Sequence, residues 1–294
     1  MANLKDIRTR INSVITTRQV TSAMKMVSAA KLKKSQDDIS HIRPYTSRLA
    51  DIINDFNYSS DEDISSSIYS KENKGDKTVI IAVASNRGLC GAFNSNVVKT
   101  VQTLITDKLE EDYKKGNIVI GVLGKQAGKM LKMRNLKTHF EYNEFILKPT
   151  YMQSKKLSQE LLDGFTKGEY KKVYLVYNEF VNAAVQNVQS YQYLPFSMPK
   201  TETSSPGSMQ YLLEPDAISL IYTLIPEMLH ATLFQVILES QASENGARMT
   251  SMHKATDNAT ELINDLQLMY NKARQTAITN EIIEVTSGAN ALNG

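Results

Sequence analysis

From residue 3 to about residue 56 the chain runs without a single glycine and with one proline, Pro44. That uninterrupted stretch constrains the fold more than any other feature. Leu4, Ile7, Ile11 and Val14 step by 3, 4 and 3, which is a heptad seam. The apolar pattern then slips and resumes at Val20, Met24 and Val27, a shift that predicts a local change of supercoil. Pro44 predicts a kink or an end. A helix of about 50 residues spans about 75 Å, more than a compact domain of this size encloses.

The other end mirrors it. Glu214-Pro215-Asp216 predicts the start of a second long helix, with proline near its first turn, running to about Thr286. Pro226 falls inside it and predicts a bend or a break. Within "SENGARMTSMHKATDNATELI" (243–263), Met249 and Met252 are the only large apolar residues before Leu262. From Met252 a narrow stripe follows, Met252, Ala255, Ala259, Leu262, Leu266, Met269 and Ala273, alternating steps of 3 and 4. A globular-core face is broader. A thin stripe suffices for a helix that packs on one other helix, so the two terminal helices are expected to form an antiparallel coiled coil.

Between them the pattern changes. "TVIIAVAS" (78–85) and "NIVIGVLG" (117–124) are short β-rich runs, each followed by a helical stretch, about 95–110 and 125–133. A helix over 154–168 leads to "KKVYLVYNEF" (171–180) and "AAVQNVQSYQYLPF" (183–196), whose short separation predicts a hairpin. This alternation predicts a Rossmann-like α/β sheet domain, first parallel and then mixed. The expected fold class is therefore α/β: a long antiparallel coiled coil of the N- and C-terminal helices plus that sheet domain. The expected organisation is an N-terminal shaft helix (1–56), a linker (57–77), the α/β domain (78–196), a second linker (197–210) and a C-terminal shaft helix (211–294). Both linkers are rich in serine and polar residues.

Composition narrows the function. No run approaches the ~20 apolar residues of a membrane span, and "MANLKDIRTR" has neither the apolar core of a signal peptide nor the character of an organelle presequence. The single cysteine, Cys90, excludes an internal disulfide and suits a reducing compartment. Residues 1 to 34 carry eight Lys or Arg against Asp6 alone, so that end calls for an acidic partner.

Several stretches invite a chemical function. "ASNRGLCGAFN" (84–94) sits between a strand and a helix, where phosphate-binding turns lie, but it lacks the GxGxxG pattern. "LGKQAGKM" (123–130) resembles a P-loop, yet Leu123 stands where the first glycine belongs and Met130 where the magnesium-binding hydroxyl belongs. Cys90 at a helix N-terminus has no identifiable base among His41, His139, His230 and His253. These His and Cys residues show no metal-ligand spacing, and no catalytic, cofactor-binding or metal residue is assigned. "AAKLKKSQ" (29–36) suits a nucleic-acid stripe or a solvated basic face. Three classes stay open on the residues alone: a rotor or interaction subunit, a nucleotide-binding enzyme, and a basic coiled-coil nucleic-acid binder.

Three blocks in order decide between them: "IRTRINSVITTRQVTSAMKMVSAAKLKKSQ" (7–36), "NRGLCGAFN" (86–94) and "ENGARMTSMHKATDNATELINDLQLMYNKARQTAITNEIIEVTSGANA" (244–291). Together they resemble the gamma-subunit family of rotary proton-translocating, F-type ATP synthases. They cover roughly a third of the chain. The resemblance implies a non-catalytic central rotor stalk that couples proton-driven ring rotation to the conformational cycle of catalytic beta subunits. It implies a hexamer of alpha and beta subunits around the coiled coil, an epsilon subunit, a membrane c-ring, no nucleic acid and no cofactor. It also implies a peripheral position on the cytoplasmic side of a bacterial inner membrane. Residue by residue, Met24 and Lys25 match the segment facing an acidic lever loop of beta. Arg248, Arg274, Gln275, Thr279, Glu281 and Glu284 match shaft contacts. Arg87 and Cys90 lie in the turn approaching beta, and Tyr211 and Glu214 match the foot near the membrane ring. Pro226 departs from the family's usual pattern.

Overall fold

The computed structural model describes residues 4–59, 67–71, 73, 75–197 and 217–293. Residues 60–66, 72 and 74 of the first expected linker, all but one residue of the second and the Glu214-Pro215-Asp216 helix start lie outside them. The glycine-free stretch forms α1 (Leu4–Ser59), and the C-terminal stretch forms α6 (Ala217–Asn293). Between them run β1 (Lys77–Val83), α2 (Phe93–Lys108), α3 (Glu110–Lys114), β2 (Ile118–Leu123), α4 (Lys125–Met133), β3 (Phe140–Glu141), α5 (Tyr151–Thr166), β4 (Tyr170–Phe180) and β5 (Gln186–Leu194). Pro44 and Pro226 lie inside their helices and neither ends one. Each removes an N–H, but the carbonyls left without that donor belong to Ser40 and Tyr222, both exposed, where water can replace it.

The chain divides into two compact units, Met1–Ser28 with Met249–Gly294, and Ala29–Arg248. In the first, the described parts of α1 and α6 run antiparallel: Thr21 meets Thr256, and Lys25 meets His253. The α1 seam is Leu4, Ile7, Ile11, Val14, Arg18, Thr21, Lys25 and Ser28, all half-buried except Ser28, which is buried. The steps of 3 and 4 never break, so the expected slip does not occur. Val20 and Val27, read as seam, are more than half exposed. The seam instead turns polar at Arg18, Thr21, Lys25 and Ser28, while Val20, Met26 and Val27 beside it face outward and Met24 is half-buried.

The facing stripe of α6 shows the same kind of offset. Met252, Ala259, Ile263 and Leu266 are buried, and Thr256, Tyr270, Ala273 and Ala277 are half-buried. Leu262 and Met269 belong to the expected stripe but are 39% and 59% exposed. The 3–4 alternation is right, but its phase differs at alternate positions. Ile263 and Tyr270 replace their immediate neighbours.

In the second unit α1 continues with buried Leu32, Ser35, Ile39, Thr46, Leu49 and Ile53. Arg43 Nη2 donates to Glu239 Oε1 at 3.0 Å, and Thr46 Oγ1 lies 2.7 Å from Gln235 Oε1, so α6 is antiparallel to α1 here too. The five-stranded sheet has the order β3-β2-β1-β4-β5. β1 pairs in parallel with β2 and β4, β3 joins β2 in parallel, and β4 and β5 form the expected antiparallel hairpin. Both faces are covered, which explains the near-continuous apolar run of β1. Val79, Ile81 and Val83 face a core with α5, α1 and α6, and Ile80 and Ala82 face a core with α2 and α4. Thr150 caps α5 by accepting the Gln153 N–H. β3 was not expected; it is two residues long and seats the Phe140 ring over Gly121, where a Cβ would collide with it.

Candidate functional site

The turn after β1 is held by its own polar groups. Ser85 N–H donates to Asn94 Oδ1 at 3.0 Å, the Ser85 hydroxyl donates to the Arg87 carbonyl at 2.6 Å, and Asn94 Nδ2 lies 3.2 Å from Cys90 Sγ. Leu89 and Gly91 both take positive φ, 64° and 59°, which folds the chain back on itself before α2. Cys90 is 2% exposed and packs with Phe93 and Ala247. Burial pushes its thiol up, against the smaller opposite effects of the Ser85 hydrogen bond and the Arg248 charge. It is therefore a packed thiol, not an activated nucleophile.

The P-loop lookalike is equally committed. Gly124, at φ 109°, approaches the Ala84 carbonyl so closely that no Cβ fits. At the start of α4, the Lys125 N–H donates to Asn86 Oδ1 at 3.0 Å and the Gln126 N–H to the Ser85 carbonyl at 3.1 Å. Those donors, which a phosphate cradle would need, already have protein acceptors.

Arg248 joins α6 to the turn. Its Nη2 donates to the Arg87 carbonyl at 3.1 Å and lies 3.4 Å from the Gly88 carbonyl. The same nitrogen is 2.7 Å from Glu244 Oε1, one helical turn back, and the two side chains are only 11% and 12% exposed. Burial pushes the Glu244 carboxyl up, with Arg248 pulling it back. Arg87 itself is exposed. The structure thus brings Arg87, Cys90 and Arg248 together, along with Ser85, Asn94 and Glu244, which were not singled out from the sequence. Glu244 lies one turn before Arg248, and that spacing was a readable signal.

Of the remaining candidates, Met24, Lys25, Arg274, Gln275, Thr279, Glu281 and Glu284 belong to the first unit. Met24 and Lys25 are half-buried, and Lys25 Nζ lies 3.2 Å from His253 Nδ1. Arg274, Gln275, Thr279, Glu281 and Glu284 are exposed on α6. Arg274, Ile278, Glu281 and Val285 step by 4, 3 and 4 along one face, with Gln275, Thr279 and Ile282 beside them. Every side chain from Ile278 to Asn290 is exposed, including Ile278, Ile282, Ile283 and Val285. Tyr211 and Glu214 lie outside the described residues. Among the described residues no helix is long and apolar enough to cross a membrane, and no group of three or more His, Cys, Asp or Glu is placed to hold a metal ion.

The comparisons agree over the whole length. The family described as ATP synthase matches residues 3–292. The ATP synthase gamma chain of Christiangramia forsetii is 45% identical over 294 residues, and that of Flavobacterium johnsoniae 46% over 295, each alignment covering 100% of both chains. A chain from the Euglena gracilis mitochondrial ATP synthase (OSCP/F1/c-ring, rotational state 3) shares the fold, with a TM-score of 0.66 at 20% identity over 98% of this chain and 94% of that one. With full-length relatives far above the identity needed to define a family, and with the paired helices and the sheet both in place, this chain belongs to the ATP synthase gamma chain family.

Proposed function

We infer that the chain is the central rotor stalk of an F-type ATP synthase, coupling proton-driven ring rotation to the conformational cycle of the catalytic beta subunits without doing chemistry itself. Its partners in this role are the alpha and beta subunits around the paired helices, an epsilon subunit and a membrane c-ring. The complex stands at the cytoplasmic side of a bacterial inner membrane, with this subunit peripheral to it.

The observation that carries this is the exposed end of α6. A helix without packing on any side is marginal in water, and this one keeps four large β-branched side chains in solvent, interleaved with Arg274, Gln275, Thr279, Glu281 and Glu284. Such a mixed surface suits a partner that touches the helix from several directions without gripping it by one large apolar patch. A rotating shaft needs that property, because it works by presenting different faces to a neighbour with more than one stable state. Met24, Lys25, Arg87, Cys90 and Arg248 are assigned to beta contacts or their support, and Tyr211 and Glu214 to the ring end.

The test is a disulfide between an engineered cysteine on the exposed face of α6 and one on a beta subunit, in a Cys90→Ser background. Multi-site ATP turnover stops on oxidation and returns on reduction. If the bridge forms in high yield and turnover continues, the chain is not a rotor.

A further inference from the structure

Three polar contacts inside the core of the second unit form a loop that starts and ends on α6. His230 Nδ1, on α6, lies 2.7 Å from Ser158 Oγ on α5. Ser158 Oγ lies 2.6 Å from the Tyr193 hydroxyl on β5, and that hydroxyl lies 2.9 Å from the Leu229 carbonyl, back on α6. All four residues are 2% exposed or less, so these groups share out their protons among themselves.

The proton count fixes a direction. A carbonyl only accepts, so the last contact is filled by the Tyr193 O–H. A hydroxyl has one proton, so Tyr193 has none left for Ser158, and the Ser158 O–H fills the middle contact. The Ser158 proton is then used as well, and the ring must donate the third from Nδ1. The reverse order, Tyr193 to Ser158 to a bare Nδ1, leaves the Tyr193 and Leu229 oxygens 2.9 Å apart with no proton between them. The surroundings there are an apolar core that includes Leu161, Leu162 and Leu194, where unpaired polar groups cost most. The protonation states follow from burial. It pushes the Tyr193 phenol up, so the hydroxyl keeps its proton. It also holds His230 below the ordinary histidine range, with Glu227 on α6 pulling the ring up and Lys155 on α5 pushing it down.

We infer that the loop is a one-way donor circuit, His230 Nδ1–H to Ser158, Ser158 to Tyr193 and Tyr193 to the Leu229 carbonyl, which fixes His230 in the Nδ1–H form and positions this part of α6 against α5 and β5. Its two ends are consecutive residues of one helix, a side-chain donor and a backbone acceptor. Turning α6 about its axis, or sliding it, carries both ends away from α5 and β5 together, so the circuit opposes either motion. The direction also excludes a chemical role. A serine 2.7 Å from an imidazole is the arrangement in which a base takes the proton of a nucleophile. Here Nδ1 already carries a proton and the Ser158 proton points to Tyr193. The pair is therefore a positioning device, not a nucleophile with its base. The circuit lies within the second unit and does not depend on the rotor assignment.

The test is a two-bond ¹H–¹⁵N NMR correlation on the full chain with ¹⁵N-labelled histidine at about pH 8, above the ordinary histidine range. The His230 signals are identified by their loss in His230→Gln. In the wild type the ring carries its proton on Nδ1 and Nε2 is bare. Ser158→Ala removes one oxygen and with it the acceptor of the Nδ1–H, so the Nδ1–H share falls and the Nε2–H share rises. An Nδ1–H ring in the wild type, with a lower Nδ1–H share in Ser158→Ala, supports the circuit. Where Ser158→Ala fails to fold, the wild-type ring alone decides. An Nε2–H ring in the neutral wild type overturns the circuit, because the protons then run the other way. An Nδ1–H share unchanged in folded Ser158→Ala also overturns it, because Ser158 then does not hold the ring.

Discussion

His230 Nδ1 lies 2.7 Å from Ser158 Oγ, and both side chains are buried. Ser158 Oγ in turn lies 2.6 Å from the hydroxyl of Tyr193, which donates to the Leu229 carbonyl at 2.9 Å. This short chain of polar groups ties α5, β5 and α6 together inside an otherwise apolar core. Burial holds His230 below the ordinary histidine range; Glu227 pulls it up and Lys155 pushes it down.

That burial gives stability a pH dependence of definite sign. The unfolded chain takes up a proton on His230 near pH ~6.5, while the folded chain resists until lower pH. Between those values the unfolded state binds more protons, so stability is complete above about 6.5 and falls as pH drops toward the folded value. His139, lowered chiefly by burial, acts in the same direction. Urea midpoints for wild type and His230→Gln between about pH 7.5 and 5.5 check this. The variant is less stable at neutral pH but shows a shallower slope, and an equal slope excludes His230 as a source.

Arg248→Ala removes the tie between α6 and the turn and leaves Glu244 buried without its partner. The expected cost is about 3 kcal/mol. Arg248→Lys recovers only part of it, because an ammonium keeps the charge but not the fork that reaches both carbonyl and carboxylate. Adding Glu244→Gln to Arg248→Ala relieves the stranded charge and regains part of the loss. Chemical denaturation of the wild type and the three variants measures this. A cost for Arg248→Ala within about 0.5 kcal/mol, typical of a surface change, speaks against the tie.

The phase of the helix seam can be checked by two neighbouring substitutions. Ile263 is 5% exposed and Leu262 is 39% exposed. Ile263→Ala should cost about 2 kcal/mol or more, as buried truncations do, and Leu262→Ala about 1 kcal/mol or less. Thermal melts read the order directly, and a larger loss at Leu262 returns the seam to the phase expected from sequence.

Those two positions also show where the sequence is legible. The heptad period, the strand and helix alternation and the hairpin all follow from short-range patterns. The phase does not, because Leu262 and Ile263 are equally apolar and only the facing helix distinguishes them. On α1 the apolar count favours Val20 and Val27, whereas the seam runs through Thr21, Lys25 and Ser28. Those polar residues fit because the contact is thin and half-open to water, so burying them there costs little. The Arg248 tie to the turn was hidden for another reason: its partners lie 160 residues away in sequence and are backbone carbonyls, which carry no residue signature. The three sequence blocks placed the turn and the helix in one functional set, but not in contact.

Arg274→Ala and Gln275→Ala should act on the complex rather than on the chain. Both residues are exposed, so each substitution should change the stability of the chain by no more than about 0.5 kcal/mol. In the assembled complex, lost hydrogen bonds to charged groups are worth about 1.5–3 kcal/mol and should appear as roughly ten-fold or greater loss of ATP turnover where they form at the limiting step. Turnover at the wild-type rate in reconstituted complexes removes these two residues from the contact set.

The paired helices of the first unit should turn as one body, and Thr21 with Thr256 offers the place to test it. Their hydroxyl oxygens are 2.9 Å apart across the seam, so the two side chains face each other. Thr21→Cys with Thr256→Cys, in a Cys90→Ser background, places two thiols where two hydroxyls already meet. Oxidation then locks α1 to α6 without altering the exposed faces that carry Arg274, Gln275 and Glu281. Coupled ATP synthesis should persist in the oxidised complex at close to its reduced rate, because nothing at this level needs to slide. A bridge from the same helix to a beta subunit should abolish turnover, so the pair of experiments separates motion within the stalk from motion of the stalk. If the Thr21–Thr256 bridge forms fully and synthesis is lost until reduction, the helices must move against each other during each cycle, and the rigid-shaft account fails.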